Sequence, residues 1–212
     1  MKSMKGIELL QISRIILTIP KEHRKMKKKI VLALSIVLVL GFSYTLFYMN
    51  QYSIPPEEDA IHTSLINWQN KGERTNFELN ILGVTPIDQT NSHVVLFETA
   101  DKNIGYARLL KGWNGKYKIT DSGWGDNLVQ YTDIKTNDGT YGILVGKNPD
   151  LEIDHIIAGI ADNEFDFTVT VSNAETFVRY QKLPSGLKEA FVSEITLYDE
   201  SGEIINPLRK ER

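Results

Sequence analysis

The sequence predicts one transmembrane helix followed by an α+β extracytoplasmic region. In that region one amphipathic helix lies on an antiparallel β-meander, and a small all-β sandwich follows. Three observations support this prediction. Residues 30–49 contain no charged side chain, apolar residues recur at helical spacing within residues 56–71, and short alternating segments separated by turn signals fill most of the remaining chain.

The uncharged run has the length and composition of a membrane anchor. Ile30–Met49 is twenty residues long, which as a helix spans about 30 Å, the thickness of a bilayer core. Lys27–Lys29 directly precede the run, and positive residues stay on the cytoplasmic side. The sequence therefore predicts a single-pass protein of the cell membrane, with residues 1–29 as a basic cytoplasmic segment and the C-terminal body outside.

A cleaved signal peptide is the alternative interpretation of this segment. Gly41-Phe42-Ser43 supplies the small residues that a signal peptidase needs, with cleavage after Ser43. The apolar run continues beyond that point to Met49, and this length favours the uncleaved anchor. Residues 1–25 are either a cytoplasmic tail or an over-extended start, because an export signal that begins at Met26 has a normal form.

Charge and cysteine content exclude several classes of partner and chemistry. Residues 50–212 contain fifteen Lys and Arg against twenty-five Asp and Glu, so the body is acidic and we expect no nucleic acid partner. Cysteine is absent from the chain, which excludes disulfides, thiolate metal sites, a cysteine nucleophile and a lipid-modified cysteine anchor.

A linker at residues 50–56 leads into the first predicted subdomain, residues 57–136. Ile61, Leu65 and Trp68 follow the spacing of one helix face, which predicts a helix over residues 56–71 that packs through these side chains. Strands are predicted at 93–99, 104–111, 116–122 and 127–134, each pairing with the next. One helix over such a meander resembles the cystatin-like or NTF2-like arrangement.

The second predicted subdomain covers residues 137–207, and residues 208–212 form a charged tail. The segment "TNDGT" (136–140) contains the tight-turn pair Asp-Gly and is taken as the boundary. Six short segments follow at regular spacing, namely "YGILVG", "EIDHIIAGI", "FDFTVTV", "TFVRYQK", "FVSEITLYD" and "EIIN". This pattern is typical of a small β-sandwich.

No catalytic motif is convincing. Ser185 and Lys188 match the S-x-x-K pattern of penicillin-interacting serine enzymes, but Pro184 and Gly186 favour a loop and the companion motifs are missing. The four histidines have no metal-ligand spacing, and Asp162, Glu164 and Asp166 lack the glycine of a calcium loop. We therefore predict no catalytic residues, no metal and no cofactor.

Two tryptophans in glycine-rich turns are the best candidates for a contact surface. Trp113 and Trp124 occupy "GWNG" and "SGWGD", where the turn does not require a large aromatic residue. The strand between them is about 20 Å long, so they lie at its opposite ends. We expect Tyr106 and Tyr117 to extend the same aromatic surface. These four residues form the tentative binding surface.

The chain resembles small membrane-anchored exported proteins of Gram-positive bacteria in its Lys-rich start, its anchor and phrases such as "WNGKYKI". We expect a binding or interaction protein of the bacterial cell envelope that contacts another envelope protein or a wall component. One alternative is an envelope hydrolase whose site is assembled from distant residues. A second alternative is a small-ligand module beneath the first outer helix.

Overall fold

The computed structural model describes residues 21–71, 77–161, 164–187 and 190–205. The chain divides into two compact units between Gln51 and Tyr52. The first contains helix α1, Lys21–Gln51. The second contains α2 (Glu58–Gln69), β1 (Leu79–Pro86), β2 (Ser92–Thr99), β3 (Ile104–Lys111), β4 (Tyr117–Gly125), β5 (Val129–Thr136), β6 (Gly139–Lys147), β7 (His155–Ile160), β8 (Phe165–Thr170), β9 (Thr176–Lys182) and β10 (Val192–Tyr198).

Helix α1 is long and apolar enough to cross a bilayer over Lys28–Gln51. Its side chains from residue 28 onward are exposed or half-exposed. The hydroxyls of Ser35 and Thr45 donate to the carbonyls of Val31 and Gly41, each at 2.9 Å. These bonds satisfy the two hydroxyl groups within the helix backbone, as expected for hydroxyls in an apolar segment. The helix runs through Ser43 without interruption.

Helix α2 is confirmed, although it is shorter than predicted. It has Glu58 and Asp59 in its first turn, where acidic groups complement the positive end of the helix dipole. Ile61 and Leu65 are buried and pack against the meander. Trp68, on the same helix face one turn later, is 41% exposed, so its predicted part in this packing stays a prediction.

Strands β1 to β4 form the meander sheet, in which each strand pairs antiparallel with the next along the chain. Side chains alternate between its two faces. Val95, Phe97, Ala107 and Leu109 pack beneath α2. The opposite face is also covered, because its apolar side chains pack against a second sheet: Val94, Leu96 and Ile104 with Ile134, Tyr141, Ile143 and Val145.

The expected pairing of β5 beside β4 is wrong. β5 forms a hairpin with β6 across Thr136 and Gly139, and β9 lies on the other side of β6. The Asp138-Gly139 pair explains this, since such turns join neighbouring antiparallel strands and Gly139 has a positive φ of 128°. The predicted boundary between residues 136 and 137 therefore falls within a hairpin. The division into two subdomains stays a prediction.

Strands β5, β6 and β9 form the middle sheet, and β10, β7 and β8 form the outer sheet, each in that order. One apolar cluster joins the two sheets: Val129, Leu144, Ile156, Ala158, Ile160, Phe167, Phe177 and Leu197. Five of the six predicted sandwich segments are strands. The last, "EIIN", makes only a single bridge between Ile204 and Tyr198. β5, which the sequence assigned to the preceding subdomain, completes the middle sheet.

The resulting order of layers is α2, meander sheet, middle sheet and outer sheet. The middle sheet is covered on both faces, which accounts for the unbroken burial from Tyr141 to Gly146 along β6. The likeness to a cystatin-like or NTF2-like fold is not supported, because it requires a single sheet under one helix and the described residues of this body form three sheets.

Candidate functional site

The four residues of the tentative binding surface do not lie together. Trp113 is 68% exposed in the turn between β3 and β4, whereas Trp124 is 51% exposed near the end of β4. The two tryptophans therefore lie towards opposite ends of this strand, as the sequence indicates. Tyr117 is only 7% exposed and belongs to the core beneath α2. Tyr106 lies on the opposite face of the meander, against the middle sheet.

Tyr106 joins two sheets. Its hydroxyl lies 3.1 Å from Thr132 Oγ1 on β5 and 3.3 Å from Asp121 Oδ2 on β4. Burial is the main cause that raises the pKa of this phenol, so it stays protonated and able to donate. These contacts hold the meander against the middle sheet. A structural role thus accounts for this side chain, while its role in binding stays a prediction.

Trp124 is the outermost of three aromatic rings that run from the core of the body to its surface. Its ring lies 5.8 Å from that of Phe77, which in turn lies 6.4 Å from buried Phe97. Gln69 Nε2 donates to Ser122 Oγ at 2.6 Å, which fixes the end of α2 on the same strand. One side of the Trp124 side chain thus packs against Phe77, and about half of the side chain is exposed to solvent. Such supported aromatic side chains are common in protein contact surfaces.

An open groove of about 1040 Å³ begins two residues after Trp124. One side is formed by residues 126–129 and the other by the whole of β10, with two apolar residues at one end, Ile204 and Ile205. Every residue of β10 lines the groove, whichever face its side chain occupies. The groove therefore runs along the free edge of this strand rather than over one face of the sheet.

Backbone geometry identifies the groups that β10 presents to the groove. β10 is an edge strand, with β7 on its other side. The Tyr198 carbonyl accepts from Asp154 N at 2.8 Å, on the side of β7, and the Leu197 carbonyl accepts from Ile205 N at 2.9 Å, on the free side. Because backbone groups alternate along a strand, Ile195 also directs its N–H and C=O outward.

Side chains of mixed character surround this free edge. Glu194 is exposed, Ile195 is half-buried against the sandwich core, and Ile204 is 67% exposed at the end of the groove. Tyr198 stacks on His155, with ring centroids 4.8 Å apart and an interplanar angle of 3°. The groove thus combines backbone hydrogen-bonding groups with apolar contacts that extend beyond them.

A second concavity has a volume of about 590 Å³. Of the described concavities it is the one whose lining residues most resemble those of a catalytic site. Asp133, Asp138, Lys182 and Ser185 line it. Lys182 Nζ lies 2.8 Å from Asp138 Oδ2, and this hydrogen bond is the main cause that holds the pKa of Asp138 below its usual range, with a further contribution from Tyr141. Ser185 lies in a turn, as its flanking residues predict, and Lys188 lies outside the described residues.

The remaining polar candidates are separate from one another. His62 Nε2 contacts the Leu79 carbonyl at 2.9 Å, and His93 lies beside Tyr117 with ring centroids 5.0 Å apart. Asp162 and the side chain of His23 lie outside the described residues. Among the described residues, no group of three or more His, Asp or Glu side chains is placed to hold a metal ion.

Comparison with protein-family models, with curated proteins and with solved structures gave no match to this chain. Local sequence patterns do not predict the groove, because they do not indicate which strand lies at the edge of a sheet. The alternation of Phe191, Ile195 and Leu197 indicates a strand with one buried face. The edge position of β10 arises because β7 is its one neighbouring strand among the described residues, and residues 203–205 bond only to the C-terminal end of its other side.

Proposed function

We propose that this chain is a membrane-anchored, extracytoplasmic binding protein of the bacterial cell envelope. Its ligand is an extended segment of another envelope protein, bound along the free edge of β10. The groove that follows this edge is the observation that supports the proposal. A bound segment would become a fourth strand of the outer sheet, next to β10, with Trp124 near one end of the site.

Strand addition uses groups that the groove already presents. An extended peptide gains affinity from main-chain hydrogen bonds and specificity from alternate side chains. The outward backbone groups of Ile195 supply such bonds, and Ile204 and Ile205 supply an apolar contact. A wall polysaccharide would lack a regular row of backbone donors and acceptors, so this site favours a polypeptide over a wall component.

The membrane part of the proposal rests on α1 and the charges before it. Lys28–Gln51 is long and apolar enough to span a bilayer, and Lys27–Lys29 favour a cytoplasmic N-terminus. The body then lies outside. There the body and its envelope partners are confined to the same layer, which raises the effective concentration of each for the other. At a high effective concentration, even a weak binding site is occupied.

Site-specific photocrosslinking of the full-length chain in its own membrane tests the groove. A photoreactive residue in place of Glu194 reports on the free edge of β10, and one in place of Asp166 is the matched control, because β8 is the opposite edge of the same sheet. We expect a polypeptide adduct from position 194 and none from position 166. Ile204→Ser should weaken the adduct, whereas Leu151→Ser, at another exposed apolar position, should not.

Equal adducts at both edges, or adducts that Ile204→Ser leaves unchanged, would contradict binding along β10. An adduct that glycan-degrading enzymes remove would instead identify a wall component as the ligand. Binding of a synthetic peptide that corresponds to the crosslinked segment would then measure the affinity directly, again with both serine variants.

An envelope hydrolase is the second candidate, and the concavity lined by Asp133 and Asp138 favours it. Hydrolysis by paired carboxylates needs one protonated and one ionised group. The lowered pKa of Asp138 suits only the ionised role. If Asp133→Asn abolished hydrolysis of an envelope substrate, this function would replace the binding proposal. The small-ligand alternative gains no such support, since Ile61 and Leu65 pack directly on the meander beneath α2.

A further inference from the structure

The turn between β3 and β4 has the residue types of a membrane-interface contact. It joins Lys111 to Lys116 through "GWNG", and Lys118 follows at the start of β4. Trp113, Lys111 and Lys116 are exposed. Tryptophan is enriched at the headgroup level of bilayers, and lysine near a membrane surface is attracted by lipid phosphates. This combination differs from the rest of the acidic body.

Contacts within the body place this turn at the point where the chain enters the body. Tyr52 is the residue that directly follows α1 in sequence, and its carbonyl accepts from Asn114 Nδ2 at 2.9 Å. Lys118 Nζ lies 4.7 Å from the centroid of the Tyr52 ring. Ile54 forms a two-way backbone bridge with Tyr117, at 3.0 and 2.7 Å. The segment 52–54 is therefore fixed to the turn and to the start of β4.

Chain continuity then determines what this turn faces. If Lys28–Gln51 crosses the bilayer, Tyr52 lies at its outer surface, because consecutive Cα atoms are only about 3.8 Å apart. A turn that is hydrogen-bonded to Tyr52 lies at the same surface. We propose that the β3–β4 turn rests on the phospholipid headgroups, with Trp113 in the interface and Lys111 and Lys116 at lipid phosphates. This inference rests on the membrane anchor proposed above.

Acidic residues at the same end determine which group dominates the contact. Glu57, Glu58 and Asp59 begin α2 shortly after Ile54 and are exposed. Their charge opposes attraction of this end as a whole to anionic lipid. The tryptophan ring is therefore the main contact and the lysines adjust its depth. Trp124 lies at the far end of the meander, away from the surface that Trp113 contacts, and the β10 groove begins two residues after it in sequence.

Fluorescence of the full-length chain in phospholipid vesicles tests this arrangement. The chain has three tryptophans. Trp68→Phe/Trp124→Phe leaves only the turn tryptophan, and Trp68→Phe/Trp113→Phe, the matched control, leaves only the one at the far end. We expect lipids brominated near the headgroup to quench the first variant several-fold more than the second. Aqueous iodide should give the reverse order.

A chain that floats with the vesicles after an alkaline wash, but whose Trp113 is quenched only by iodide, would overturn the headgroup contact and leave the anchor intact. A chain that does not float would overturn the anchor itself, and this inference with it. These two failures are therefore distinguishable.

The unmodified chain provides a second measurement that does not depend on the folding of variants. A water-soluble acylating reagent should modify Lys111 and Lys116 several-fold more slowly than Lys102 when the chain is in vesicles. Lys102 lies in the turn between β2 and β3, at the opposite end of the meander, and its ion pair with Glu98 slows its own reaction, so the comparison is conservative. Equal rates at the three lysines would overturn the contact.

Discussion

Gly105→Ala tests the packing that positions Trp124. Gly105 pairs with Trp124 across β3 and β4, and with Phe97 across β3 and β2. A Cβ atom at this position would lie 2.4 Å from two ring carbons of Phe97 and 2.9 Å from the Gly123 carbonyl oxygen. The ring is fully buried and the carbonyl belongs to the backbone of β4, so neither can move aside without disturbing the core.

The expected loss of stability follows from this overlap. Extra carbon atoms in a packed core destabilise by about 1–3 kcal/mol, and a clash against both a buried ring and the backbone favours the upper end. For a body of this size a loss of about 3 kcal/mol lowers Tm by about 6–12 °C. Thermal unfolding of the full-length chain in nanodiscs, followed by circular dichroism, measures the shift.

Gly83→Ala is the matched control, because Gly83 also lies in a strand of the meander and nothing lies within 4 Å of an added Cβ. Its Tm should change little. Phe97→Leu removes the ring carbons that clash, so the double variant Gly105→Ala/Phe97→Leu should be more stable than the sum of the two single effects predicts. Equal Tm values for Gly105→Ala and Gly83→Ala would refute the register of β2, β3 and β4.

Two further predictions concern the core beneath α2. Leu65→Ala removes a fully buried side chain between α2 and the meander and should destabilise the body by about 2–5 kcal/mol, whereas Leu82→Ala, at a partly exposed position, should change denaturant stability by less than about 0.5 kcal/mol. Burial is the main cause that lowers the pKa of His93, with the charge of Lys111 adding to it. The folded state thus disfavours protonated His93, so its contribution to stability is present above the unfolded pKa of about 6.5 and falls as the pH drops through the lower folded pKa. His93→Gln should flatten the stability profile measured between pH 7.5 and 5.5 by urea titration, and an unchanged slope would contradict this assignment.

Local patterns predicted most of the strands because alternation and turn chemistry are properties of neighbouring residues. The segment around Phe167 shows this clearly, since its buried or half-buried apolar residues alternate with exposed polar ones, as the sequence displays. The boundaries of β3 match the prediction. In each case the side chains within one strand determine the result.

The sheet to which β5 belongs depends on contacts distant in sequence, and the local pattern predicts it wrongly. β5 has the pattern of a strand that could extend the meander, but its hairpin with β6 directs it into the middle sheet. Tyr117 occurs in a pattern that fits an exposed aromatic surface, yet α2 and the segment at Ile54 cover it. The β10 groove is a product of the same long-range pairing, so no local signal indicates it.

The two ends of the meander differ in a way that suits a protein held at a surface. Near the start of the body, the β3–β4 turn presents Trp113 and lysines. At the other end is Trp124, and the groove along β10 begins two residues after it in sequence. The first end is thus proposed to contact the bilayer, and the groove beyond the second end to bind a protein partner. Both assignments depend on a chain that crosses the membrane once and has its body outside.

Cysteine labelling of intact cells tests that topology most directly, because the chain contains no cysteine of its own. Lys28→Cys places a thiol before the apolar segment, and Ser201→Cys places one in the exposed turn after β10. With a membrane-impermeant maleimide, the account predicts labelling of the Ser201→Cys variant in intact cells and of the Lys28→Cys variant only after permeabilisation, with both in the membrane fraction. Labelling in the reverse order, or recovery of the Ser201→Cys variant as a soluble protein, would contradict it.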